Sequence, residues 1–315
     1  MRIGLIDVDG HNYPNLPLMK LSAYHKAKGD SVEWYQPLIS GHMDKVYMSK
    51  VFSFSPDYEY YIDSDVVVKG GTGYAISLIN GKEVYDKSKD IPLPDEVEHI
   101  YPDYSLYPEC KDTAYGFLTR GCPRGCDFCH VAPKEGRCSH KVADLSEFWR
   151  GQKKIVLLDP NILACKDCEE LLLQLIGSKA RVNFNQGLDI RMMTKQRAEL
   201  LSKIKIDGLH FAWDRYEDKD IIVPKFKEFR EISKINPHDL SVYVLVGDRE
   251  RRVRDEDLYR VEWLKNNGYA PYVMVYDKDS LPKKHELRKL QRYVNMRAIF
   301  WSIPTFADYQ KNKEE

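Results

Sequence analysis

From residue 114 the chain alternates apolar strands with helical segments six times, and no other feature restricts its fold as much. The runs AYGFLTRG, KIVLLD, RVNFNQG, GLHFAWD, SVYVLVG and YVMVYD read as strands, and each intervening segment suits one helix. Such alternation predicts parallel strands joined by right-handed crossovers. Six units are too few to close an eight-unit barrel. The expectation is therefore a partial (βα)6 TIM-like barrel over residues 113–300, with its strands pointing their carboxyl ends at a shared cavity. The segment after the fifth strand shows the pattern. Leu258, Val261 and Leu264 recur near helical spacing, acidic residues crowd the start, and Gly268 with Pro271 ends it. The run LRKLQRYVNMRAIFWSI reads as one long, basic amphipathic helix with a solvated charged face, and residues 301–315 as a tail.

Residues 1–80 read as a separate small α/β unit. IGLIDV is an apolar strand, LMKLSAYHKAKG a helix closed by Gly29, and SVEWYQ a second strand. KVYMSKVF and DVVVKGG look like further buried strands, so a parallel sheet of the Rossmann or flavodoxin type is expected. Residues 81–112, charged and interrupted by prolines, suit a linker.

Lys+Arg and Asp+Glu are equal at 48 each, so no global field draws this chain to nucleic acid or to an acidic membrane. No apolar run approaches the ~18–20 residues a membrane helix needs, and MRIGLIDVDG, passing from a short apolar strand to acidic residues, does not read as a signal peptide. Seven cysteines, an odd number crowded into residues 110–168, look like reduced thiols handling metal rather than a disulfide framework. A cytoplasmic protein is expected.

Three of those cysteines stand in GCPRGCDFCH, residues 121–130, with spacers of three and two residues. The triplet falls directly after the first strand of the second unit, at the rim where such architectures place chemistry. Gly121 and Gly125 free the backbone to curl and Pro123 stiffens it, so that three sulfurs can converge. Three thiolates with a fourth donor would make a zinc site, whereas three thiolates on a cubane cluster leave one iron free. Cys110, Cys138, Cys165 and Cys168 remain; the pair in ACKDCEE has the spacing of a second metal site, but also reads as the opening of a helix, where a cysteine is a small buried hydrophobe.

The triplet, with Phe128 before its last cysteine, resembles the signature of the radical S-adenosylmethionine superfamily, and the resemblance covers roughly residues 110–300. It implies a 4Fe-4S cluster on Cys122, Cys126 and Cys129, whose fourth iron is chelated by S-adenosylmethionine. It further implies cleavage of that molecule to a 5′-deoxyadenosyl radical, which takes hydrogen from a substrate. Phe128 matches the position near adenine. Where the family often has Gly-Gly-Glu, this chain has Leu158-Asp159-Pro160-Asn161, and the oxygens of Asp159 or Asn161 would take that role. Gln186, Asp189 and Arg191 after strand three, Asp214 after strand four and Gly247 after strand five complete the expected cofactor-binding set. Asp189 and Arg191 also suit a simple rim ion pair, and Asp214 a helix cap.

The first unit resembles the cobalamin-binding domain of one branch of that superfamily. Asp9 and His11 match its cobalt-ligating Asp-x-His-x-x-Gly, but Pro14 replaces the glycine, and a degenerate domain without cobalamin is expected. A one-electron donor such as flavodoxin or ferredoxin is implied as partner. Peptide, nucleotide and small-metabolite substrates all remain open, as do a cobalamin-dependent methyltransferase and a non-catalytic zinc or iron-sulfur module.

Overall fold

The computed structural model describes residues 1–10, 13–79 and 82–311. Four strands form the first sheet: β1 (Arg2–Asp7), β2 (Ser31–Trp34), β3 (Met43–Ser49) and β4 (Ser64–Gly70). All pair in parallel, in the order β2-β1-β3-β4. A hairpin of β5 (Ile76–Ile79) and β6 (Lys82–Tyr85) follows. In the second unit β7 (Thr113–Gly116) leads into a small antiparallel pair, β8 (Thr119–Arg120) with β9 (His140–Lys141). The remaining strands are β10 (Lys154–Leu157), β11 (Arg181–Leu188), β12 (Lys205–Ala212), β13 (Leu240–Val246) and β14 (Ala270–Val275). Together with β7 they make a six-stranded parallel sheet in the order β14-β13-β12-β11-β10-β7. Every strand therefore neighbours the next in the chain, and β7 and β14 are the two edges.

Local chemistry explains these elements. In β13, LSVYVLV is buried at all but Tyr243, as expected of a β-branched run covered on both faces. The helix Cys168–Ser178 buries Cys168, Leu171, Leu172 and Leu175, the i, i+3, i+4, i+7 stripe of a helix lying on a sheet. Lys219–Ile232 does the same with Ile222, Phe226 and Phe229. In the first unit, the side chain of Asn15 accepts from the Leu18 N–H to start the helix Leu16–Ala27, which buries Leu18 and Met19.

Several expectations change. β4 is an exposed edge, not a buried strand: Val66 and Val67 are 48% and 39% exposed, because β4 is the last strand of its sheet and pairs with β3 alone among the described residues. The C-terminal basic run is two helices, Glu286–Asn295 and Arg297–Ser302, broken at Met296. Beyond it, Phe306 and Tyr309 pack against Tyr293 in the main core, where a tail was expected. The stretch 81–112 is bound to both units. Asp103 accepts from Ser22 and Lys26, the Tyr107 hydroxyl donates to Asp7 at 2.7 Å, and the Tyr104 hydroxyl donates to the Phe148 carbonyl at 2.9 Å. Tyr104 also receives the Tyr115 N–H at 3.0 Å, so its hydroxyl covers the free edge of β7. Among the described residues no helix is long and apolar enough to cross a membrane.

One helix, Leu16–Ala27, connects the strands of the first sheet; β2, β3 and β4 are joined by loops. Part of the sheet's face is consequently left as a cleft of about 1050 Å³. Its walls include Leu21 and Tyr24 of that helix, Tyr47 and Val68 of the strands, and Arg120 and Lys134 from the segments that carry the cysteines.

Candidate metal centre

The cysteine segment is shaped by backbone that other residues could not adopt. Gly121 has φ +83°, and a Cβ there would stand 2.2 Å from the Cys138 carbonyl oxygen. Gly125, at φ +57°, is likewise in the left-handed region, with the Arg137 guanidinium against it. The Cys122 N–H donates to the Gly136 carbonyl at 3.2 Å, and the Cys129 N–H to the Cys126 carbonyl at 3.0 Å. Glu135 ties the loop's start, pairing with Arg120 at 2.7 Å and accepting the Gly121 N–H at 3.0 Å. The loop also meets the first unit: His130 lies 3.1 Å from Glu83, and Lys134 donates to Thr72.

All three cysteines of the triplet are free and half-buried. Burial raises the Cys126 and Cys129 thiols above the ordinary range, and the Asp214 carboxylate and the neighbouring triplet sulfurs push the same way. A metal must therefore displace protons to bind. Among the described residues no three His, Cys, Asp or Glu side chains are grouped as ligands of a single ion. A cubane asks for something different, since each thiolate takes its own iron and the sulfurs spread around the cluster. Three free thiols in one loop are the donor set such a cluster would take.

The expected cofactor-binding residues divide by position. Asn161, 2% exposed, donates its side-chain N–H to Cys122 Sγ at 3.6 Å, and its buried Oδ1 has no hydrogen-bond partner among the described residues. Asp159 is instead spent on support: its carboxylate accepts the Leu118 and Thr119 N–H groups and the Thr119 hydroxyl at 2.5–3.2 Å. It is buried, and burial lifts its pKa to about 6 against those hydrogen bonds. Asp189 accepts from Arg191 at 2.6 Å, and Arg191 pairs with Asp218. Arg124, in the spacer between the first two cysteines, reaches Asp189 at 3.8 Å and Asp218 at 3.6 Å. Asp214 is half-buried, accepts the Leu245 N–H at 3.2 Å, and has a raised pKa, chiefly from desolvation. Phe128 is half-buried and Gln186 exposed. Gly247 has φ +81°, in the left-handed region that favours glycine, and a Cβ there would stand 2.8 Å from Leu287 Cδ1.

Sequence reasoning missed three contributors. Arg124 and Asp218 join the triplet loop to the ends of β11 and β12; a charge inside the cysteine spacer was the one available sign. Arg260 is 0% exposed and donates to the carbonyls of Trp213, Asp214 and Leu245 and to Asp257, clamping the ends of β12 and β13 beside Asp214.

Cys165 and Cys168 are 1% and 0% exposed, and burial pushes the Cys168 thiol up to about 12. Cys168 lies on the apolar stripe of its helix, and Cys138 is exposed. Cys110 lies against Tyr115, at 4.0 Å from its hydroxyl.

In the first unit, Asp9 accepts from the N–H groups of Val51 and Phe52 and from the Ser55 hydroxyl, pinning the loop after β3. His11 lies outside the described residues. The glycines after β4 serve close packing: a Cβ on Gly71, φ +99°, would meet the Lys50 carbonyl oxygen at 2.3 Å.

A solved structure provides the comparison that decides the fold. It is the radical S-adenosylmethionine methyltransferase TsrM from Kitasatospora setae, with cobalamin and a 4Fe-4S cluster bound. It superposes with a TM-score of 0.58 over 87% of this chain and 74% of that one, at 12% identity. The two chains share a fold. No protein-family model and no curated protein matches the sequence. Because that neighbour carries cobalamin, the comparison lends no support to the expectation that the first unit goes without it.

Proposed function

We propose that this chain is a radical S-adenosylmethionine enzyme that holds a 4Fe-4S cluster on Cys122, Cys126 and Cys129 and abstracts hydrogen from its substrate. The observation that carries the reading is the placement of three free thiols in one glycine-shaped loop after β7, within reach of the polar ends of β10, β11 and β12. We read the six-stranded sheet as a partial barrel with this loop at its mouth. When bound, the cluster and S-adenosylmethionine supply one-electron cleavage of the sulfonium. The chain's own part is to orient and to exclude water. The Asn161 Oδ1 offers an acceptor beside Cys122, Arg124 and Arg191 offer guanidinium donors held in place by Asp189 and Asp218, and Phe128 a flat apolar surface. A one-electron donor protein and a small-molecule, nucleotide or peptide substrate complete the proposal.

Anaerobic reconstitution with iron and sulfide, followed by dithionite and S-adenosylmethionine, tests it: 5′-deoxyadenosine is expected. A chain that carries a full 4Fe-4S complement and yields none would sink the reading.

A second reading, cobalamin-dependent methyl transfer, is favoured by the open cleft beside the cysteine loop and by the cobalamin bound to the structural neighbour. Asp9, the first residue of the motif matched there, accepts three hydrogen bonds from the loop after β3, one of them on Oδ2. Incubation with hydroxocobalamin and desalting separates the readings by whether corrin absorbance stays with the protein.

A further inference from the structure

We propose that Asn161 is a positioning residue that sets the reduction potential of the metal centre through its hydrogen bond to Cys122; this rests on the cluster reading above. The side chain is almost fully buried, and its Nδ2 stands 3.6 Å from Cys122 Sγ, within hydrogen-bond reach of a sulfur acceptor. Its backbone is held on two sides. The Ser139 hydroxyl donates to the Asn161 carbonyl at 3.0 Å, and Asp159, two residues earlier, is bound to Leu118 and Thr119. The amide is thus fixed against the same loop that carries the cysteine.

Its chemistry then follows from what an N–H does to a thiolate. A donor aimed at a cysteinate sulfur withdraws electron density from it and favours the reduced, more negative cluster over the oxidised one. Hydrogen bonds to cluster sulfurs raise the potential and ease the arrival of the electron. Packing alone gives no reason for an amide here: a leucine of similar size would fill the space with no polar group to satisfy, whereas Asn161 keeps one pole on sulfur and leaves the other, Oδ1, buried with no partner among the described residues.

The test compares the whole chain with Asn161→Leu and Asn161→Asp after anaerobic reconstitution. Iron and sulfide are counted first, and the potential is then measured by a redox titration followed by electron paramagnetic resonance. Both variants should hold the cluster at a more negative potential than the parent, Asn161→Asp more so because it adds a charge as well as losing the donor. A wild-type potential in the fully assembled variants overturns the inference and leaves the cluster reading standing. If Asn161→Leu assembles poorly, the isosteric Asn161→Asp decides, and an equal or higher potential there overturns it. Failure of both variants to assemble, with the parent intact, also overturns it, since Asn161 would then build the site rather than tune it. A parent chain that takes up zinc and no cluster removes the cluster reading itself.

Discussion

The guanidinium of Arg124 lies 3.8 Å from the carboxylate of Asp189, and this contact joins the spacer between Cys122 and Cys126 to the end of β11. Arg191 and Asp218 extend it into a chain of four alternating charges. Arg124 is 37% exposed at its side chain, so Arg124→Gln should cost the fold no more than about 1 kcal/mol. Its effect should fall on the loop. Loss of visible cluster absorbance to a chelator should quicken by a factor of about 5, the equivalent of about 1 kcal/mol. Equal decay rates in parent and variant would rule the contact out as a brace.

Asp159 gives a pH signature. Its folded pKa, about 6, is raised above the ordinary 3.8 by burial. A carboxyl group so shifted holds its proton more tightly folded than unfolded, so its contribution to stability is complete below about pH 4 and lost as pH rises to about 6. In Asp159→Asn that slope should vanish. Urea midpoints of the two proteins, subtracted at each pH, should change across this window and be flat above it; a flat difference throughout would contradict the assignment.

Arg260 and Asp257 are both fully buried and paired at 2.6 Å. Arg260→Leu leaves Asp257 with a weakened set of partners and three strand-end carbonyls without their donor, and should destabilise by about 3–5 kcal/mol. The double variant with Asp257→Leu should recover part of that loss, because the fully buried carboxylate leaves with its partner while Arg254 keeps Glu256. Chemical denaturation of the three proteins checks the pattern, and a double variant less stable than the single would refute it.

Iron analysis separates the two groups of cysteines. Cys122→Ala, Cys126→Ala and Cys129→Ala should each abolish the cluster. Cys165→Ala and Cys168→Ala should keep the parent's iron and lose about 1 kcal/mol of stability, the cost of a small core deletion. Iron that falls with Cys168→Ala would put a second metal site back in play.

The parallel sheet was legible because strands buried on both faces need unbroken apolar runs, and SVYVLVG or KIVLLD can do little else. What such runs do not carry is who covers them: DVVVKGG looks the same whether a helix packs on Val66 and Val67 or nothing does. The triplet was legible from spacing and glycines. Its supports were not, because Arg124, Asp189 and Asp218 meet across long stretches of chain with no period to reveal them. Asp257 and Arg260 look like an ordinary exposed i, i+3 pair on a helix, and only the fold buries them. Asp159 and Asn161, two positions apart, were indistinguishable in sequence; the backbone gives one to the loop and the other to a sulfur.

The strand that leads into the cysteine loop, β7, is four residues long, pairs in the sheet with β10 alone, and stands at an edge. Tyr104 covers the outer side of that edge and Asp159 holds Leu118 and Thr119 just beyond it, so the cysteine loop is carried by side chains from two other stretches of chain as much as by its own strand. Tyr104→Phe should therefore quicken amide hydrogen exchange over β7 and leave β11 to β13 unchanged.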